Sequence, residues 1–514
     1  MINFFKKVDK NQITLISLII FIFIALFSTF NYLSLDKTPP HWDYALHLKY
    51  SLIYFQALEN LDLLKLISTY TFYPPLTYIM FSFFIAIIGY SKSTVLAFNL
   101  SLLTILLSVA YLFTKKLSDK FTSLTLVGLL FFLTFGLHPS NIFIWELMTD
   151  FPLMVFVFII YCLFYQSFKN KNFTSKRSLQ LGILIALALL TKWSAIIYLI
   201  VPIIFYLISI PKKKYLKQGL FMLLPVLILG GIWYFPHFKK VILDLLKYSI
   251  HQGYLEQDPQ WFNGINFYFK NFLVTSWPVN IIVILLLATS MITFLKNKEL
   301  FKQDQFLGIF DWLFITVPSI LFIIFIPNKD PRYLYPIIIL AISICFWRIR
   351  KYFNINKVWF VIPPFFLLIT LNYNQFLPYP MPDSLIDHLK QTVWERKPKS
   401  IAYFFETDSH LFNYGNVSLF YKEIEYLYNI KQVSHSFLNQ MNVEDDRRIH
   451  GCSYFGEPEM IVVFRKKNLA DIVNPKWQAS FEKDCPLSFR NNYQLENHVE
   501  LFEEEIFYLF RKSF

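Results

Sequence analysis

Glycine is scarce in this chain, at 13 of 514 residues, and no phosphate-cradling loop of the P-loop or dinucleotide-binding type is present. Cysteine is rarer still. Cys162, Cys345, Cys452 and Cys485 show neither a CxxC spacing nor a Cys/His ligand pattern, so a metal or redox site built on thiols is excluded. Charged residues make up only 16% of the chain against 55% hydrophobic, with a mean hydropathy of +0.43, and no soluble domain of this size needs so much apolar surface. Internal repeats and low-complexity tracts are also missing.

What is there instead is a series of apolar runs, most of them near the roughly 17 to 25 residues needed to cross a hydrocarbon core of about 30 Å. The spans expected are 13–33, 94–114, 120–138, 152–168, 178–191, 195–210, 218–236, 277–295, 308–326, 334–347 and 358–373, about eleven in all. The first is too long for a signal-peptide core and has no small-residue cleavage site, so it reads as a retained span. The net charge of +13 sits mostly in short Lys/Arg clusters between apolar runs, which is a mark of membrane topology and not of nucleic-acid binding. Cys162 and Cys345 fall within apolar runs and read as packing residues.

One further apolar stretch, 74–89, decides the topology. If it does not cross, the basic clusters at Lys6/Lys7/Lys10, Lys115/Lys116/Lys120, Lys169 to Arg177, Lys212 to Lys217, Lys296 to Lys302 and Arg348 to Lys357 all lie on the cytoplasmic side. If it crosses as an ordinary span, every cluster after the first changes sides. The stretch therefore reads as a re-entrant or interfacial helix begun by Pro74-Pro75, which ends any preceding helix. The outer side then holds a long first loop (34–93), a second around 138–151, a third at 237–276, a short one at 327–333, and everything after about 375.

That last part is richer in charge, opens with Pro378, Pro380 and Pro382, and has no run long enough to span. Strands are expected at Ser400–Phe405 and Met460–Phe464 with a helix at 416–428, so 375–514 reads as a small α/β extracytoplasmic cap on a transmembrane domain of 1–374. Cys452 and Cys485 both lie in it, where an oxidising compartment permits a disulfide but does not require one.

Several ionisable residues fall on the outer side of this body. Asp43, in Pro39-Pro40-His41-Trp42-Asp43-Tyr44, precedes an amphipathic stretch (50–67) suited to the membrane surface, with His47 one turn further on the same face. Two readings of Asp43 stand: a carboxylate placed to act on a lipid-borne substrate, or a cap for the helix that follows. Glu146 and Asp150 are four apart and would share a helical face. Acidic groups this close to an apolar span must pair, bind a metal or face water, and a structural ion pair with Lys192 is one such explanation. Lys192, at the end of an apolar helix, and Arg332, before Tyr333, suit a phosphate or diphosphate headgroup. Snorkelling to the interface is the alternative for both.

Taken in order, Trp42-Asp43, Tyr73-Pro74-Pro75-Leu76, Asp150 to Leu153, Leu190-Thr191-Lys192 and Arg332-Tyr333 with Pro336 resemble the GT-C glycosyltransferases. The closest group is the protein O-mannosyltransferase and aminoarabinose transferase type with its bacterial relatives. The resemblance covers residues 1 to about 373 and, in outline, the cap. It implies a mainly α polytopic fold with interfacial helices and a multi-pass protein of the bacterial inner (cytoplasmic) membrane. The implied reaction moves a sugar from a polyprenyl-phosphate donor to a lipid, glycan or protein acceptor at the outer face. Asp43 corresponds to the first-loop general base or acceptor-orienting group, and Lys192 and Arg332 become the cations that stabilise the departing lipid phosphate. Some relatives bind a divalent metal between the first two outer loops, which here would fall to His47, Glu146 and Asp150, while many relatives need none, so a metal is not required. The chain departs from the pattern in two places: Tyr44 follows Asp43 where many relatives carry an acidic pair, and no Arg lies between 138 and 151.

Two rival readings are a transporter or flippase of lipid-linked sugar and a catalytically silent scaffold of the same fold. A transporter is expected to show paired halves and broken helices at mid-depth, and no pseudo-repeat is visible.

Overall fold

The computed structural model describes residues 10–35, 42–136, 146–244, 298–326, 330–352, 385–398, 400–405, the elements named below between 419 and 466, and 485, 487–501 and 504–512, with a few single positions between them. The expected spans 277–295 and 358–373 and most of the third outer loop lie outside the described residues.

Backbone amides in lipid have no water to bond, so long apolar runs close their hydrogen bonds internally as helices. Every expected span that falls on described residues is helical: Lys10–Leu35, Lys92–Leu117, Lys120–Gly136, Asp150–Lys169, Ser175–Thr191, Ala195–Ser209, Tyr215–Asp244 with a π segment at Val226–Gly230, Lys298–Ile320 running on to Phe325, and Tyr335–Tyr352. Among the described residues five stretches are long and apolar enough to cross a bilayer: Leu18–Leu35, Lys92–Leu117, Asp150–Lys169, Lys212–Asp244 and Leu307–Ile324. Hydroxyls inside these helices bond back to their own backbone, as in Thr29 to the Ala25 carbonyl and Ser343 to that of Ile339. The stretch 74–89 forms the Leu76–Ile88 helix of 13 residues, about 20 Å long. Pro75 starts it and Gly89, at φ 88°, ends it, a conformation glycine takes without strain.

Contacts divide the chain into two compact units, Met1–Asn31 with Ala57–Pro378, and Tyr32–Gln56 with Tyr379–Phe514. In the first unit the Ser175–Thr191 helix packs closely on Tyr215–Pro225, where a Cβ added at Gly182 would lie 2.2 Å from the Met222 carbonyl oxygen. Small residues at such crossings let backbones approach, a principal source of helix association in lipid.

The second unit carries a five-stranded sheet of order β2-β1-β5-β7-β6, with β1 at Ser400–Phe405, β2 at Ser434–Phe437, β5 at Met460–Lys466, β6 at Tyr493–Leu501 and β7 at Glu504–Arg511. Strands β3 (Asn439–Asn442) and β4 (Arg447–His450) form a separate antiparallel pair. β1 runs parallel to β2 and β5, while β7 is antiparallel to β5 and β6. Period-two alternation sends Ile401, Tyr403, Val462 and Ile506 to one face, with Leu389 and Val393 of the Leu385–Arg396 helix, and Ala402, Ile461 and Val463 to the other, with Cys485 and Tyr493. Both faces are covered, so the run Met460–Phe464 is continuously apolar. The helix expected at 416–428 is described only at Leu419, Phe420 and Glu423, and is helical there.

The amphipathic stretch 50–67 is not one helix. The Trp42–Glu59 helix ends, Leu61 takes φ 53°, and Asp62 caps a new helix at Leu63–Ser68 by accepting from the Lys65 amide at 2.9 Å. Leu61, Leu63 and Leu64 are exposed.

Candidate active site

The Trp42–Glu59 helix belongs, through Gln56, to the second unit, and Asp43 and His47 belong with it. Asp43 lies inside the helix's first turn, second in line, where its negative charge complements the amide end of the helix. It is partly exposed, whereas Tyr44 and His47 are buried.

In the first unit, Glu146 and Asp150 do not share a helical face. The Asp150–Lys169 helix begins only at Asp150, with Pro152 in its first turn, where a missing amide hydrogen costs nothing. Glu146 sits before it in a bend held by Asn99, whose side-chain amide donates to the carbonyls of Ile144 and Glu146 at 2.9 Å each. Both acidic residues are buried.

Lys192 ends the Ser175–Thr191 helix in extended conformation, and the Lys192 carbonyl accepts from the Ala195 amide to start the next helix. That tight turn sends the side chain to Asp150, where Nζ donates to Oδ1 at 2.7 Å. Lys192 and Asp150 are 2% and 3% exposed, so the pair is desolvated and Lys192 does not snorkel. Two rings complete its surroundings, with Nζ 4.8 Å from the Tyr73 centroid and 5.1 Å from that of Tyr333. Tyr333 is held in turn by Tyr198, whose hydroxyl donates to the Tyr333 carbonyl at 2.6 Å, and by the Phe322 ring stacked 5.3 Å away.

Arg332 lies beside Tyr333 in the short Pro331–Leu334 turn. Asp330 caps that turn through the Arg332 amide and also holds the guanidinium, Nε donating to Oδ2 at 2.7 Å. Nη1 reaches the Met148 sulfur at 3.4 Å, two residues before Asp150. The Arg332 side chain keeps 19% of its surface exposed and is the accessible cation of this group.

The structure thus gathers Asp150, Lys192 and Arg332 with Tyr73 and Tyr333. The two tyrosines were legible as motif residues but not as partners of a cation. Asp330 and Met148 were missed; Asp330 stands two residues from the arginine it holds, a spacing that could have pointed to it. Among the described residues no three His, Cys, Asp or Glu side chains form a group that could hold a metal ion. Cys485 is disulfide-bonded, and Cys452, with which the sequence left a pairing open, lies outside the described residues.

No protein-family model and no curated protein matches the chain by sequence. Among solved structures, ArnT from Cupriavidus metallidurans bound to undecaprenyl phosphate matches with a TM-score of 0.59 at 10% identity, over 95% of this chain and 97% of that one. Its apo form matches at 0.60 and 12% identity over the same shares, 95% and 97%. The Archaeoglobus fulgidus oligosaccharyltransferase in complex with zinc and sulfate matches at 0.49 and 11% identity, over 88% of this chain and 67% of that one. At these identities the ArnT likeness establishes the fold: this is a polytopic helical membrane protein of the GT-C fold with a small sheet in its C-terminal region.

Proposed function

We propose that the chain is a membrane glycosyltransferase of the protein O-mannosyltransferase or aminoarabinose transferase type. It moves a sugar from a polyprenyl-phosphate donor to a lipid, glycan or protein acceptor at the outer face of the cytoplasmic membrane. The observation that carries this reading is the convergence on Lys192 of three sequence-distant motifs, through Tyr73, Asp150 and Tyr333. The fold likeness to an ArnT structure holding undecaprenyl phosphate supports the donor class. The disulfide at Cys485 supports an extracytoplasmic position for the C-terminal region.

In the proposed reaction Asp43 takes the proton of an acceptor hydroxyl as that oxygen attacks the anomeric carbon. The bond from that carbon to the phosphate oxygen breaks, and the lipid phosphate departs with the bonding pair. Arg332, the exposed cation, is assigned to that phosphate, together with Lys192, which is held by Asp150. Binding energy directed at charge that grows during the reaction raises turnover more than ground-state affinity.

The test is Asp43→Asn in purified protein. Asn keeps the shape but takes no proton, so transfer should be abolished at unchanged thermal stability. An Asn variant that still transfers sugar removes Asp43 as the base, and one that fails to fold favours a helix-end role.

A further inference from the structure

A second polar cluster lies in the same compact unit, apart from Lys192. The Tyr215–Asp244 helix is about 45 Å long at roughly 1.5 Å per residue, more than a hydrocarbon core of about 30 Å requires, and its last stretch carries Trp233, His237, Lys240 and Asp244. Their spacing of four, three and four places them on one stripe of the helix. All four grip the same short piece of the first outer loop. The Tyr70 ring stacks on Trp233 with centroids 6.1 Å apart and planes within 10°, and it meets the His237 ring at 5.3 Å. Lys240 Nζ stands 4.1 Å over the same Tyr70 ring, and the Tyr70 hydroxyl donates to the Asp244 carboxylate. His237 Nε2 lies 2.8 Å from the Ile67 carbonyl, which can only accept, so that nitrogen carries the proton.

Three residues on, the loop delivers Tyr73 to Lys192. The intervening chain has little freedom: the Thr71 hydroxyl bonds the Tyr73 carbonyl, the Phe72 and Tyr73 rings meet edge to face at 4.7 Å, and Pro74 and Pro75 fix the exit. Three peptide units at about 3.8 Å each link Tyr70 to Tyr73, so a displacement at one is passed to the other. Cation-to-ring attraction holds only within about 6 Å. Releasing Tyr70 therefore loosens one wall of the Lys192 enclosure without touching Lys192, Asp150 or Arg332.

We propose that Tyr70 and Asp244 are positioning residues: the stripe Trp233–His237–Lys240–Asp244 clasps the first outer loop at Tyr70 and so fixes Tyr73 on Lys192, setting the site that takes the lipid phosphate. The clasp stands on the geometry alone, and its consequence for phosphate rests on the proposed function.

The experiment uses the full chain in lipid nanodiscs, as wild type, Tyr70→Phe, Asp244→Asn and the double variant. Tyr70→Phe keeps the ring stack and removes only the hydroxyl, and Asp244→Asn serves should that variant not fold. Amide hydrogen exchange over residues 67–75 should rise about tenfold or more in either single variant, and no further in the double, because the two groups act as one interaction. Undecaprenyl phosphate should bind each variant about tenfold more weakly than wild type, again without additivity. Affinity is compared at equal folded fraction, established by thermal unfolding of the same samples, so that general destabilisation does not enter the comparison. Unchanged exchange overturns the clasp. Raised exchange with unchanged affinity overturns the positioning role. If wild type itself fails to bind undecaprenyl phosphate, the donor reading falls and takes the positioning role with it, while exchange still decides the clasp.

Discussion

Two cations were equivalent in the sequence and are not in the structure. Lys192 is buried with Asp150, and removing one partner of such a pair leaves the other charged and desolvated, at a cost of about 3 to 5 kcal/mol. Arg332 retains exposure and is tied to Asp330, its neighbour in the same turn. Lys192→Ala should therefore lose both thermal stability and turnover. Arg332→Ala should lose turnover on the order of a hundredfold while unfolding near the wild-type temperature. Arg332→Lys should recover only part of the loss, because an ammonium does not reproduce the two-pronged contact of a guanidinium. Thermal unfolding and donor turnover measured on the same preparations separate the two effects; equal stability losses would show that both residues are anchors of the fold. The pairing of Asp150 with Lys192 was legible as one explanation for an acidic group beside an apolar span. The rings around Lys192 were not, because Tyr73 and Tyr333 are 260 positions apart and a sequence gives no distance between them.

At the scale of elements, the apolar runs carried the fold. Every expected span within the described residues became a helix, because lipid leaves an apolar backbone no alternative. The errors fell at ends and breaks, where local chemistry decides. Leu61 breaks the stretch 50–67, and Pro152 fits the start of a helix at Asp150 that leaves Glu146 outside. The helix expected to end at 236 continues to Asp244, and the stripe that clasps Tyr70 lies largely in that extension. Helix crossings were invisible for a related reason: only one glycine on the Ser175–Thr191 helix meets a neighbouring backbone, and nothing in its sequence context marks it. Gly182→Ala, with its added Cβ 2.2 Å from the Met222 carbonyl oxygen, should destabilise the protein by about 1 to 3 kcal/mol, read as a lowered midpoint in detergent. A midpoint at or above wild type would mean the two helices can separate at no cost.

The whole molecule joins a helical membrane unit to a unit in which the Asp43 helix and the C-terminal sheet are grouped together. That grouping was not legible, since it depends on contacts between residues hundreds of positions apart. The sidedness of the chain is an expectation drawn from its basic clusters, and labelling decides it. In single-cysteine variants, a cysteine at position 116 should be protected from a membrane-impermeant thiol reagent in intact cells, and one at 90 or 450 should react. Labelling at 116 with protection at 450 would invert the chain and remove the outer-face site.

The central claim is that this chain transfers a sugar with Asp43 as its base, and mass spectrometry of envelope glycolipids and glycoproteins tests it most directly. Cells that carry the gene, cells without it, and cells without it complemented by wild type or by Asp43→Asn are compared. One sugar should vanish with the gene, return with wild type and stay absent with the Asn variant expressed at the same level. An envelope unchanged by loss of the gene, or one restored by Asp43→Asn, would contradict the claim.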